Sequence, residues 1–167
     1  MNFLIIGFVV ISLIGSVMWV MPTKRDKFLA GLRMEAKRLG FQVQLIKLIY
    51  PREKGEMEPR KLSTVVYRLL RGRIDQQLHH NWNSWRIAKC ETNASEGLLP
   101  GWGWAIGERT LGPQQLSIIN QILADIPQGV QALESTPVHV SAFWDEGNEK
   151  DMLLIEQQLK VMIEEGV

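Results

Sequence analysis

The sequence predicts an α+β protein: an N-terminal transmembrane helix followed by a small domain whose mainly antiparallel sheet is covered by helices. Three observations predict it. An uncharged apolar run opens the chain, candidate strands then come as a block, and the later helices leave only one crossover. The expected divisions are a transmembrane anchor over 1–22, a basic juxtamembrane helix over 23–40 and a cytoplasmic α+β domain over 41–167.

The first element rests on "FLIIGFVVISLIGSVMWVM", Phe3 to Met21, which carries no charge over 19 residues. A helix of that length spans roughly 28 Å, close to the ~30 Å hydrocarbon core of a bilayer. A cleavable secretory signal would have a basic start, a shorter apolar stretch and a small-x-small site. Here "MWVMP" stands in place of such a site, so an uncleaved signal-anchor is expected. Lys24, Arg25, Lys27, Arg33, Lys37 and Arg38 all follow the run, and nothing basic precedes it. The positive-inside rule then predicts a single-pass inner-membrane protein, N-terminus outside and C-terminal domain in the cytoplasm, with Trp19 at headgroup depth. Gly7, Ser12, Gly15 and Ser16 form a small-residue pattern suited to helix–helix packing, though small residues are common in spanning helices anyway.

Next, "TKRDKFLAGLRMEAKRLG" reads as a helix capped by Thr23 and ended by Gly40, with a stripe of Phe28, Leu29, Leu32, Ala36 and Leu39. Its basic face suits an anionic leaflet. "FQVQLIKLIY" (41–50) and "LSTVVYRLL" (62–70) read as an antiparallel strand pair joined by a charged loop. Residues 72–83 are ambiguous between loop and short helix. "SWRIAKCE" (84–91) and "WGWAIGE" (102–108) follow as strands. Pro113 and Pro127 bracket a helix with the stripe Leu116, Ile119, Leu123 and Ile126. "PVHVSAFW" (137–144) is a strand, and a last helix begins at an Asn148 cap with the stripe Met152, Ile155, Leu159 and Met162.

Charge is lopsided. Residues 24–109 hold 17 Lys/Arg against 9 Asp/Glu, whereas 110–167 hold 2 against 9. A single cysteine, Cys90, excludes an intrachain disulfide and fits a reducing compartment.

No catalytic motif emerges. "GWGWAIG" has G-x-G-x-x-x-G spacing, one residue too long for a dinucleotide fingerprint, and no helix follows directly. As a strand, it puts Trp102 and Trp104 on one side and Gly101, Gly103, Ala105 and Gly107 on the other, a bare face on which a helix could pack closely. The tryptophans are either core or a partner-binding ridge. Asp75, His79 and His80 lack the i, i+4 pairing of a zinc helix, so no metal or other cofactor is expected. Basic residues interleaved with aromatics over 60–89 allow a nucleic-acid surface, but the chain's pI of about 7.9 is below the range usual for such domains. No small-molecule ligand is evident.

The bare N-terminus, single apolar helix and basic "MPTKRDK" resemble small bacterial single-pass inner-membrane proteins; over about the first 40 residues the layout is similar to that of YajC, an accessory subunit of the preprotein translocase. The later "GWGW" and "FWDEG" segments depart from it, so the resemblance carries neither function nor site residues. The expected function is a non-enzymatic, membrane-tethered cytoplasmic adaptor or accessory subunit. Its expected partners are an anionic bilayer and another membrane protein. The alternatives are a membrane-anchored enzyme with an unrecognised site and a membrane-proximal nucleic-acid binder.

Overall fold

The computed structural model describes residues 2–53, 55–72 and 82–167, apart from the side chains of Val17, Trp19 and Val20. The ambiguous stretch after residue 72, with Asp75, His79 and His80, lies largely outside the described residues, as does the side chain of Trp19. The chain divides into two compact units, Met1–Leu32 and Arg33–Val167.

The first unit holds α1 (Asn2–Val20) and the start of α2 (Lys24–Arg38). Thr23 caps α2 as its sequence position suggests. The Asp26 N–H donates to Thr23 Oγ1 at 3.2 Å, and Asp26 Oδ2 accepts from the Thr23 N–H at 2.9 Å, a reciprocal capping box. These bonds to Thr23 hold the Asp26 carboxyl below its ordinary pKa.

The expected N-terminal anchor requires correction. No helix among the described residues is long and apolar enough to cross a membrane. The fold class therefore loses its transmembrane element. The single-pass, signal-anchor and inner-membrane assignments, with the N-outside and C-cytoplasmic orientation drawn from them, lose their basis too. What α1 does present is exposed apolar surface, with Phe3 89% accessible and Leu4 and Phe8 similarly open.

The second unit is built on a six-stranded sheet. Its strands are β1 (Gln42–Ile49), β2 (Lys61–Leu70), β3 (Trp85–Lys89), β4 (Trp102–Ile106), β5 (Val130–Ser135) and β6 (His139–Trp144). The spatial order is β1-β2-β6-β5-β3-β4, and every neighbouring pair is antiparallel. α3 (Pro113–Asp125) and α4 (Glu149–Glu164) complete it; α4 packs on β6 and touches α3.

Local chemistry explains the boundaries. α2 ends in a Schellman turn: Gly40 takes φ 91°, Phe41 N–H bonds Ala36 O at 2.9 Å, and Gly40 N–H bonds Lys37 O at 3.1 Å. α3 starts on Pro113, which needs no N–H partner there. In α4, Asn148 Oδ1 accepts from the Asp151 N–H at 2.9 Å, and the stripe Met152, Ile155, Leu159 and Met162 is fully buried.

Strand register sorts the core into two faces. One row runs Val66, Phe143, Ala132, Ala88 across four strands and joins Leu48, Tyr50 and Cys90 in one apolar cluster. On the opposite face Tyr67 meets Phe41 and Trp144 edge-on at 5.6 and 5.3 Å, and Trp85 meets Trp104 edge-on at 6.3 Å.

Candidate functional site

The two edges of the sheet are finished differently, and the difference locates the candidate site. β4 is covered on its outer side. Its Trp104 N–H donates to Ala94 O at 2.7 Å, and the Trp104 indole Nε1 donates to Glu96 O at 3.0 Å. The 92–96 segment therefore acts as a strap over that edge. It fits because residue 103 is glycine: a Cβ there would stand 2.1 Å from Thr92 Cγ2. At Gly103 the bare side expected in "GWGWAIG" is occupied by a loop rather than a helix.

Among the described residues, β1 has no such cover. Its register with β2 is unbroken from Gln42 opposite Arg68 to Ile49 opposite Lys61. Among the described residues, no backbone hydrogen bond reaches β1 from its outer side. The strand contains no proline and no bulge, two of the devices that blunt an edge, and Lys47 is its one charged residue. Its exposed apolar side chains include Leu45, 74% accessible, and Ile49.

Beside β1 lies a cleft of about 180 Å³. Val43, Leu45 and Val65 form its floor, and Arg33 and Lys37 from α2 form its wall. Lys47 projects from β1 on the same side as Val43 and Leu45 by the two-residue alternation of a strand. Among the described residues, Lys37 and Lys47 make no ion pair.

The wall is held in place by a partly buried clasp. Arg33 donates from Nε and Nη2 to the two carboxylate oxygens of Glu146, at 2.7 and 2.5 Å, and Tyr67 Oη donates to Glu146 Oε1 at 2.8 Å. Such bidentate charge-assisted bonding is the strong kind. Burial, and then its bond to Glu146, push the Tyr67 hydroxyl far above its ordinary pKa, so it stays a donor. Glu146 adopts φ 61°, a left-handed conformation unfavourable for a residue with a Cβ. The clasp over-determines that geometry and so retains it.

The residues singled out in the sequence are dispersed. Lys24, Arg25 and Lys27 are exposed on the first turns of α2. Arg33 belongs to the clasp, Lys37 lines the cleft, and Arg38 pairs with Glu35 at 3.2 Å. Ser12, Gly15 and Ser16 lie exposed on α1 and Gly7 is half-buried; Ser16 Oγ donates to Leu13 O at 2.8 Å. Trp102 and Trp104 are 7% and 4% exposed, so they serve as core and offer no ridge to a partner.

Several residues of the basic and aromatic run over 60–89 already have partners inside the fold. Arg71 donates to Ser135 Oγ and Thr136 O, Arg86 pairs with Glu134, and Tyr67 and Trp85 are buried. His139 lies 3.1 Å from Ser141 Oγ, with its pKa lowered chiefly by burial. Among the described residues, no group of three or more His, Cys, Asp or Glu could hold a metal ion.

Sequence reasoning missed the clasp. Its members lie 113 and 79 positions apart, so nothing in the linear spacing joins Arg33, Tyr67 and Glu146. The openness of β1 was also missed, since strand order is what makes it an edge.

No protein-family profile, curated protein or solved structure matches this chain. The functional argument therefore rests on the geometry above.

Proposed function

We propose that the protein is a non-enzymatic adaptor that receives an extended, acidic segment of a partner protein as an added strand on β1. One observation carries this reading: among the described residues β1 is an open eight-residue edge, without proline or bulge, while the opposite edge of the same sheet is strapped. Strand addition gives affinity through main-chain hydrogen bonds and specificity through alternate side chains. On the α2 side, those alternate positions would fall near Val43 and Leu45, between Lys37 and Lys47. Apolar floor and unpaired lysines together select a segment that alternates apolar with acidic residues. A groove of this kind favours an adaptor over an enzyme, which would need convergent polar groups in a closed cleft. The exposed apolar surface of α1 supports the same reading, because patches of that kind mark interaction surfaces.

The test uses a synthetic extended peptide alternating valine and glutamate, with a valine–lysine peptide as control. Hydrogen exchange should slow at β1 amides, within residues 42–49, only with the acidic peptide. Lys37→Glu combined with Lys47→Glu should reverse the preference. Equal binding of both peptides, or unchanged β1 exchange, would sink the proposal. Concentration-dependent protection without peptide would instead identify a second copy as the occupant and overturn the acidic-partner reading.

A further inference from the structure

The clasp leaves part of Arg33 unused on the cleft wall. Arg33 engages Glu146 through Nε and Nη2, the side-on edge of its guanidinium. A guanidinium carries five N–H groups in a rigid plane, so both N–H groups of Nη1 and one of Nη2 remain. Resting on the strand-addition reading, we infer that this free end-on edge acts with Lys37 to select a pair of carboxylates two residues apart on the added strand.

Accessibility comes first. Arg33 Nη1 makes no hydrogen bond among the described residues, and it is not enclosed as a buried orphan. It therefore meets solvent, in keeping with an Arg33 side chain that is 43% accessible. Arg33 lines the same cleft as Val43 and Leu45, beside the edge where a strand would dock.

Charge agrees. Glu146 offsets one cation, but Lys37 and Lys47 on the same side are in no ion pair among the described residues. The bond to Glu146 raises the Arg33 pKa above its ordinary value, so the guanidinium stays cationic. Glu146 is then a positioning residue. It fixes the guanidinium plane and leaves the outer edge for a second carboxylate. An arginine fork takes a carboxylate in two parallel bonds, which the point charge of a lysine cannot do.

Spacing follows from helix and strand geometry. Arg33 and Lys37 are four positions apart on α2, so they share a face and stand about 6 Å apart along its axis. Alternate residues of an extended strand stand about 6.8 Å apart and point the same way. α2 returns into β1 through the tight turn at Gly40, and both elements line the one cleft. Carboxylates two residues apart therefore match the two cations. Carboxylates three residues apart point to opposite faces of the strand and cannot.

The intact protein would be titrated with two extended threonine–valine peptides of equal charge. One carries a Glu-Val-Glu triplet, and the other carries its two glutamates three positions apart. Hydrogen exchange within residues 42–49 reports docking on β1. Both should protect β1, and the triplet should bind about tenfold more tightly, the value of one further hydrogen-bonded charge contact. Arg33→Lys keeps the charge but loses the fork, and should bring the two affinities together. Lys37→Gln should do the same, and its side chain is exposed, so the fold is not at stake. If Arg33 served only to hold α2, Arg33→Lys would weaken both peptides alike and leave their ratio unchanged. Equal wild-type affinities, or a ratio that survives either substitution, would overturn this inference while β1 protection upheld strand addition. Absence of β1 protection with both peptides would overturn the two together.

Discussion

The sheet ends in two strands that face the same physical problem and solve it differently. An edge strand exposes a row of N–H and C=O groups ready to pair with another chain. At β4, only five residues long, the chain folds the 92–96 segment back so that Ala94 O and Glu96 O receive Trp104 donors. At β1, eight residues long, no described segment returns, and a cleft with lysines beside it takes the place of a strap. The comparison teaches that this fold contains the means to close an edge and, among the described residues, applies it only at β4. That asymmetry makes openness at β1 informative, and substitutions can be aimed at each edge in turn.

The largest effect should come from Gly103→Val. The added side chain cannot coexist with Thr92 Cγ2 at 2.1 Å and also approaches Ala94 O and Cys90 Sγ, each at 3.4 Å. Overpacking of this kind costs about 1–3 kcal/mol, and lifting the strap would also strip Trp104 of two acceptors at ~1 kcal/mol each. Urea unfolding should show a loss of about 3 kcal/mol or more. Cys90 reports the same event. Its thiol is buried and pushed up to about 11 by that burial, so it should react slowly with a thiol reagent at pH 8 and much faster in the variant. The sign of the pH effect follows. The thiol ionises near 9 when unfolded and near 11 when folded, so stability should fall as pH rises above 9. A variant with unchanged stability and labelling would mean that the strap does not close β4.

Glu146→Gln tests the wall beside β1. It removes the charge from the clasp while Arg33 and Tyr67 keep their positions. With Arg33 43% exposed, the cost should stay near 1–2 kcal/mol, measured by the same unfolding curve. The expected consequence is looser attachment of the C-terminal turns of α2, seen as faster amide exchange near Ala36. Trp104→Phe should cost less, about 1 kcal/mol, because it removes only the bond from the indole to Glu96 O.

How much of this was legible before the fold was known depended on where each residue's partners lie. The α4 stripe and the Asn148 cap could be read directly, because a helix places its determinants within a few residues of one another. β1 and β2 were readable from alternation and β-branched content. β5 was not read as a strand, although it is central. Its "VQALES" contains Ala132, Leu133 and Glu134, which favour helices, and burial of Val130, Ala132, Leu133 and Ser135 erases the alternation that would betray a strand. The N-terminal reading took the charge-free run Phe3 to Met21 as a membrane span, whereas no helix among the described residues is long and apolar enough to cross one. The site was the least legible part. The clasp joins residues on α2, on β2 and beyond β6, and nothing in a linear sequence marks β1 as outermost.

The smallest effect on stability and the sharpest on function should come from one substitution, Leu45→Lys. Leu45 is 74% exposed, so the folded state loses little when it is replaced, within about 0.5 kcal/mol by the usual behaviour of surface positions. An added strand would cover that side chain, and a charge there would have to be desolvated as the strand docks. A second lysine on that side, next to Lys47, also adds to the charge by which sheet edges discourage strand pairing. Acidic-peptide binding should therefore fall by about tenfold or more while the unfolding midpoint stays put. Here the comparison of edges is most exposed to failure. If the lysine leaves binding intact, the open edge is not where the partner lies, and the difference between β1 and β4 is a matter of stability alone.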